Sequence, residues 1–156
     1  MKKLLLAVAA FAMTAPAFAA SSTTSRHETA ALIGLQWNFG VNTPELVLGV
    51  RSTNIRPSGT VTGVKFDVAI PLSATDWQKP TVRVLGVGGR RNALAEAGLG
   101  YSFASSSIVI GAGVQAPFVN GGFNFAPGSS VMPYFGVNSF NRPKKPKTTT
   151  TIFSPI

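Results

Sequence analysis

The chain reads as an all-β protein, an up-and-down antiparallel β-barrel of about eight strands. Three observations predict this. Apolar and polar residues alternate with a period of two along successive segments, short connectors rich in Gly, Pro, Asn and Ser separate those segments, and no segment carries a helical period. Cysteine is absent, so such a fold is held by strand pairing and packing alone.

The first element is an export signal over residues 1–19. Lys2 and Lys3 form a basic start, Leu4 to Met13 an apolar run, and Ala17-Phe18-Ala19 a small-x-small cleavage site. The run is shorter than the roughly 20 residues a spanning helix needs, and Pro16 interrupts it, so it reads as an address and not an anchor. Residues 20–28 follow as a disordered leader, with polar Ser21 to Ser25 closed by Arg26, His27 and Glu28.

Residues 29–140 form the barrel domain. In its first strand Ala31, Ile33, Leu35, Trp37 and Phe39 share one face while Ala30, Gly34, Gln36, Asn38 and Gly40 share the other, with Leu32 breaking the pattern. The second strand sets Leu46, Leu48 and Val50 against Glu45, Gly49 and Arg51. The third sets Val64, Phe66, Val68 and Ile70 against Gly63, Lys65, Asp67 and Ala69. Five further runs follow at Thr81 to Gly89, Ala93 to Phe103, Ser107 to Gln115, Phe118 to Phe125 and Val131 to Phe140. In the fourth strand Leu85 and Val87 share a face with Arg83, which predicts a shift of alternation at a bulge. Pro133 belongs near the start of the eighth strand, because proline cannot donate to the ladder. Residues 141–156 form a tail, first Asn141 to Lys147, basic and Pro-rich, then Thr148 to Thr151 and an apolar end.

The polar face decides which side of the barrel is wet. It carries Gly34, Gly49, Gly63, Gly98, Gly100, Gly111 and Gly113 and three charges of each sign, whereas a soluble exterior would be crowded with Lys, Glu and Asp. Small residues and balanced charges suit the narrow inside of an eight-stranded barrel. Glu45, Arg51, Lys65, Asp67, Arg83 and Glu96 are therefore expected as interior ion pairs, since a buried charge without a partner costs several kcal/mol. The apolar face would then meet lipid, with Trp37, Phe39, Tyr101, Phe103, Phe123 and Phe125 near strand ends as an interfacial girdle.

Signal peptide, alternating strands, absence of cysteine and the late aromatic strand Phe135-Gly136-Val137-Asn138-Ser139-Phe140 together resemble the small outer-membrane β-barrels of Gram-negative bacteria. The resemblance is architectural. It implies that Phe140 acts as the aromatic end of the final strand, from which the chain departs by continuing to Ile156.

Nothing in the chain points to catalysis. The single histidine, His27, lies in the leader, so a Ser/His/Asp site would require that leader to fold back onto the barrel. One histidine without cysteine supplies no transition-metal site, and no cofactor is expected. Gly86-Val87-Gly88-Gly89-Arg90-Arg91 lacks the Lys-Ser/Thr ending and the following helix of a phosphate loop. Lys2 and Lys3 leave with the signal, so twelve of the fourteen basic residues remain against five acidic ones, a balance of +7. In an exported protein that points to outer-membrane lipid, lipopolysaccharide or peptidoglycan as partners and not to nucleic acid. Arg56, Arg90, Arg91, Arg142, Lys144, Lys145 and Lys147 are the candidate envelope-binding residues, and Asp76, Trp77 and Lys79 the candidate loop contacts. The expected function is a non-enzymatic outer-membrane barrel with a structural or surface-binding role. A narrow channel or porin-like oligomer, and a soluble periplasmic barrel that turns its apolar face inward around an apolar ligand, are the alternatives.

Overall fold

The structure, a computed structural model, describes residues 25–73, 75–128 and 130–146. The segment read as an export signal, the leader up to Thr24, Lys147 and the remainder of the tail lie outside the described residues. Eight strands run in chain order: β1 (Arg26–Asn38), β2 (Glu45–Ile55), β3 (Thr60–Pro71), β4 (Thr81–Arg90), β5 (Ala93–Ser102), β6 (Ser107–Ala116), β7 (Val119–Phe125) and β8 (Met132–Asn138). Each pairs antiparallel with the next, and β8 returns to β1, so the sheet is a closed barrel without a crossover. Closure removes the free sheet edge that β1 and β8 would otherwise present.

Turn chemistry explains the order. Tight connections at Arg56 to Gly59, Arg91-Asn92 and Pro117-Phe118 form one end of the barrel, the turn end, which also holds the start of β1. Gly59 adopts a positive φ and donates its N–H to the Arg56 carbonyl at 2.9 Å, a hairpin geometry that suits glycine. The longer connections, including residues 72–80 and 126–131, form the opposite loop end.

Alternation places the faces as the sequence suggests. Gly49, Arg51, Lys65, Asp67, Arg83 and Glu96 point inward, while Ile33, Val64, Val84, Leu99 and Ile108 point out and are 57–59% exposed. The apolar face is thus the outer one, opposite to what an inward-facing ligand barrel needs. Leu32, the residue out of step in β1, is buried inside against Val47, Ala69 and Phe140.

Three features of the sequence reading are corrected, apart from shifts of a single residue at strand ends. β1 begins at Arg26 and not Thr29, because β2 is long enough to pair Arg26 with Ile55, His27 with Asn54 and Glu28 with Thr53. Those three residues belong to the wall and not to a disordered leader. β4 contains no bulge, since its pairing with β3 runs unbroken from Thr60 and Arg90 to Ala69 and Thr81. Leu85 and Val87 share the inner face with Arg83, and Val87 packs with Ile55, Val61 and Leu94 in an apolar cluster near the turn end. Finally, β8 ends at Asn138, with Pro133 near its start as expected, and pairs only with Gly34 to Asn38 of β1. Phe140 is not the end of that strand: it lies two residues beyond it, continues the inward parity of Tyr134, Gly136 and Asn138 and is 2% exposed.

Candidate functional site

Charged side chains meet in the middle of the barrel. Arg83 Nε donates to Asp67 Oδ1 at 2.7 Å, Lys65 Nζ lies 3.4 Å from Asp67 Oδ2, and Lys65 also pairs with Glu96. Register accounts for this, because Asp67 stands directly opposite Arg83 across β3 and β4, while Lys65 and Glu96 reach across the interior from β3 and β5. The rest of the Arg83 guanidinium donates to Asn124 Oδ1 and Gln36 Oε1, both at 3.3 Å, and lies 5.6 Å from the centre of the Tyr134 ring. All six donors and acceptors are nearly removed from water, where charged hydrogen bonds are strongest.

The other two expected pair members behave differently. Glu45 makes no ion pair among the described residues: its Oε2 accepts from Gln36 Nε2 at 3.1 Å. Arg51 also reaches no carboxylate among them and instead lies with its guanidinium carbon 3.9 Å from the centre of the Phe140 ring. Alternation marks both as inward residues but does not identify a partner that arrives from beyond the last strand.

That partner belongs to a segment which folds back against the turn end. Past β8, Ser139 N donates to the Ile33 carbonyl at 2.8 Å and Phe118 N to the Phe140 carbonyl at 2.8 Å. These bonds occupy backbone of β1, and of the turn before β7, that β8 leaves unpaired. Beyond Phe140, Pro143 is fully buried, its carbonyl accepts from Arg91 Nε at 2.5 Å, and Lys144 N donates to Glu28 Oε2 at 3.0 Å. Residues 139–146 therefore seal the turn end. Together with the charge network they fill the middle and the turn-end part of the interior, where the space beside Lys65, Asp67 and Arg83 amounts to about 10 Å³, one water's worth.

The loop end is open. A cup of about 260 Å³ descends from Asp76 and Lys79 at the rim, past Asn38, Ser102 and Asn124, to Glu45 and Arg83 at its floor. In the connection between β3 and β4, Lys79 Nζ pairs with Asp76 Oδ1 at 2.9 Å, and Trp77 is 59% exposed. The Lys79 ammonium, by hydrogen bond and by charge, holds the Asp76 carboxyl below its ordinary value. The three loop candidates thus share one connection, with Asp76 and Lys79 at the mouth of the cup and Trp77 exposed between them in sequence. Five of the expected girdle aromatics, Trp37, Phe39, Tyr101, Phe103 and Phe125, cluster around the same end, and Tyr101 meets Phe103 edge to face with ring centroids 5.1 Å apart.

The basic candidates gather at the opposite rim. Arg56 and Arg90 are exposed there, as are Arg142, Lys144 and Lys145 on the returning segment, while Arg91 is half-buried against Pro143. Lys147 lies outside the described residues. On the outer wall at this end His27 Nε2 lies 3.0 Å from Ser52 Oγ, a nucleophile and base in reach of each other. No carboxylate hydrogen-bonds to that imidazole among the described residues, and Glu28 points to the other face of β1, so the pair lacks the orienting acid of a triad. No family model, curated protein or solved structure matched the chain.

Proposed function

We propose that this protein is a non-enzymatic outer-membrane β-barrel that contributes a rigid wall to the envelope and binds partners through its loop end. One observation carries the reading: the closed barrel is apolar outside and charged inside. Outward positions from Ala31 to Phe39 on β1 and beyond, and from Val64 to Leu72 on and after β3, hold no charged residue. That length suits a tilted transmembrane strand of about 9–11 residues. An apolar band of this extent on a water-soluble barrel would far exceed the patches monomers expose.

The filled middle of the barrel favours a wall over a conducting pore, and the aromatic-ringed cup with Asp76 and Lys79 at its mouth, together with exposed Trp77 of the same loop, supplies the contact surface. Fractionation of the protein expressed with its own signal, followed by gel mobility with and without boiling, tests the reading. Recovery in the outer membrane with a heat-dependent mobility shift is expected. Recovery in the soluble periplasm would overturn it.

A further inference from the structure

The net charge of the described residues is concentrated at one end of the barrel. Inside, Arg51, Lys65 and Arg83 are balanced in number by Glu45, Asp67 and Glu96, and at the loop end Lys79 is paired with Asp76. Every other cation among the described residues lies at the turn end. Arg56, Arg90, Arg142, Lys144 and Lys145 are exposed there, Arg26 and Arg91 flank them half-buried, and Glu28 is the one acidic residue among them.

Two features turn this excess into a surface. The returning segment is fastened, with Phe140 and Pro143 buried and bonds from Arg91 to the Pro143 carbonyl and from Lys144 N to Glu28. Its cations therefore stand against the rim instead of trailing into solvent. The rim also stands where headgroups would. On β1 to β3 the outer wall passes from the apolar band to a neutral polar belt, Thr29, Ser52, Asn54 and Thr62, before the cations are reached. On β4 and β5 Arg90 is paired with Ala93, at the edge of the small apolar face. Spacing of about 3.3 Å per residue along a tilted strand puts these cations within roughly 10 Å of the apolar band, the depth of the phosphate layer.

We propose that the turn end is a docking surface for the phosphate groups of an anionic phospholipid leaflet. This rests on the membrane reading above. Each Lys or Arg held at an anionic surface favours association by roughly fivefold at low salt, and the attraction is screened as salt rises.

The test uses the full mature chain in phosphatidylcholine vesicles carrying a trace of spin-labelled phosphatidylglycerol or spin-labelled phosphatidylcholine. The motionally restricted fraction of each label reports which lipid the protein retains. The expected result is a several-fold preference for the anionic label in 20 mM salt, collapsing towards parity in 0.5 M salt. A variant carrying Arg56→Gln, Arg90→Gln, Arg142→Gln, Lys144→Gln and Lys145→Gln, which spares the fastening Arg91, is expected to lose the preference while keeping its heat-dependent mobility. Equal retention of both labels by the unaltered protein at low salt would overturn the proposal, even if the variant fails to fold. Co-sedimentation with peptidoglycan without any lipid preference would likewise overturn it in favour of that polymer. Failure to enter vesicles of either kind would overturn the membrane reading itself, an outcome distinct from insertion without preference.

Discussion

The Arg51 guanidinium lies 3.9 Å from the centre of the Phe140 ring, inside the barrel, although Phe140 belongs to a segment beyond the last strand. The ring covers a buried cation and also packs in a cluster with Leu32, Val47 and Ala69. Phe140→Ala is expected to cost about 3–5 kcal/mol, the range for emptying a packed aromatic site. Phe140→Leu keeps most of the apolar volume and loses the cation contact, so about 1–2 kcal/mol is expected. Urea unfolding of the lipid-reconstituted protein measures both. A loss below about 1 kcal/mol for Phe140→Ala would show that the segment does not fill the barrel.

Asp67 holds the charge network together, since it receives both Arg83 and Lys65. Asp67→Ala leaves two buried cations competing for Glu96 and neutral amides, and a loss of about 3–5 kcal/mol is expected. Replacing Lys65 and Glu96 together by methionine removes a balanced pair, and should cost less than either single replacement. The comparison is a double-mutant cycle read by unfolding midpoint. Additive single losses would mean that Lys65 and Glu96 are not energetically coupled.

Tyr134 fits inside the barrel because glycines face it. A Cβ built on Gly113 would lie 2.6 Å from the Tyr134 hydroxyl and 2.7 Å from the Gly121 carbonyl, and one on Gly122 would lie 2.9 Å from the same hydroxyl. Gly113→Ala is expected to destabilise by about 1–3 kcal/mol through overpacking. Tyr134→Phe, introduced into that background, removes the nearer obstacle and should recover part of the loss, while the carbonyl remains. No recovery would place the strain in the backbone alone.

How far the sequence reveals this arrangement differs from residue to residue. The inward and outward sets on β2 and β3 follow from period-two alternation, because one shift in register would exchange every side chain between outer and interior positions. The pairing of Lys65 with Glu96 does not follow, because the two strands are not neighbours and meet only through barrel closure. Leu32 looks like an error of alternation until Phe140 is known to lie beside it. The inward parity of Phe140 is countable from Tyr134, Gly136 and Asn138, but the end of β8 at Asn138 is not, because the resemblance implies an aromatic at the end of the final strand. The start of β1 at Arg26 depends on the reach of β2, which a local reading of Ser21 to Glu28 does not contain.

At the loop end, the Asp76 carboxyl is held below its ordinary value of 3.8 by the hydrogen bond and charge of Lys79. A depressed carboxylate stabilises the ordered loop above its unfolded value, and that contribution is lost as pH falls through the lower folded value. The Asp76 side chain is therefore expected to titrate by NMR with a midpoint below 3.8. Lys79→Gln should move the midpoint back up towards 3.8, and global stability should be almost unchanged because the pair is exposed. A midpoint unaffected by Lys79→Gln would separate the two residues in solution.

The outer wall offers the sharpest energetic test of the membrane reading, because Val64 and Thr62 lie two residues apart on the same face of β3 but at different heights. Val64 is the turn-end member of the apolar band, opposite Ser52 and next to Phe66 on the same face, whereas Thr62, opposite Asn54, lies wholly in the neutral polar belt. If lipid covers the band, Val64→Lys must carry an ammonium into hydrocarbon or bend it away, at a cost of about 2–4 kcal/mol near the midplane and less towards the interface. Thr62→Lys should cost about 0–1 kcal/mol, and in water both exposed positions would accept lysine with little change. Unfolding free energies of the two variants in lipid vesicles decide between these cases. A difference of at least about 1 kcal/mol, with Val64→Lys the worse, is expected from a lipid-facing wall. Equal and small losses would mean that water, not lipid, lies against Val64.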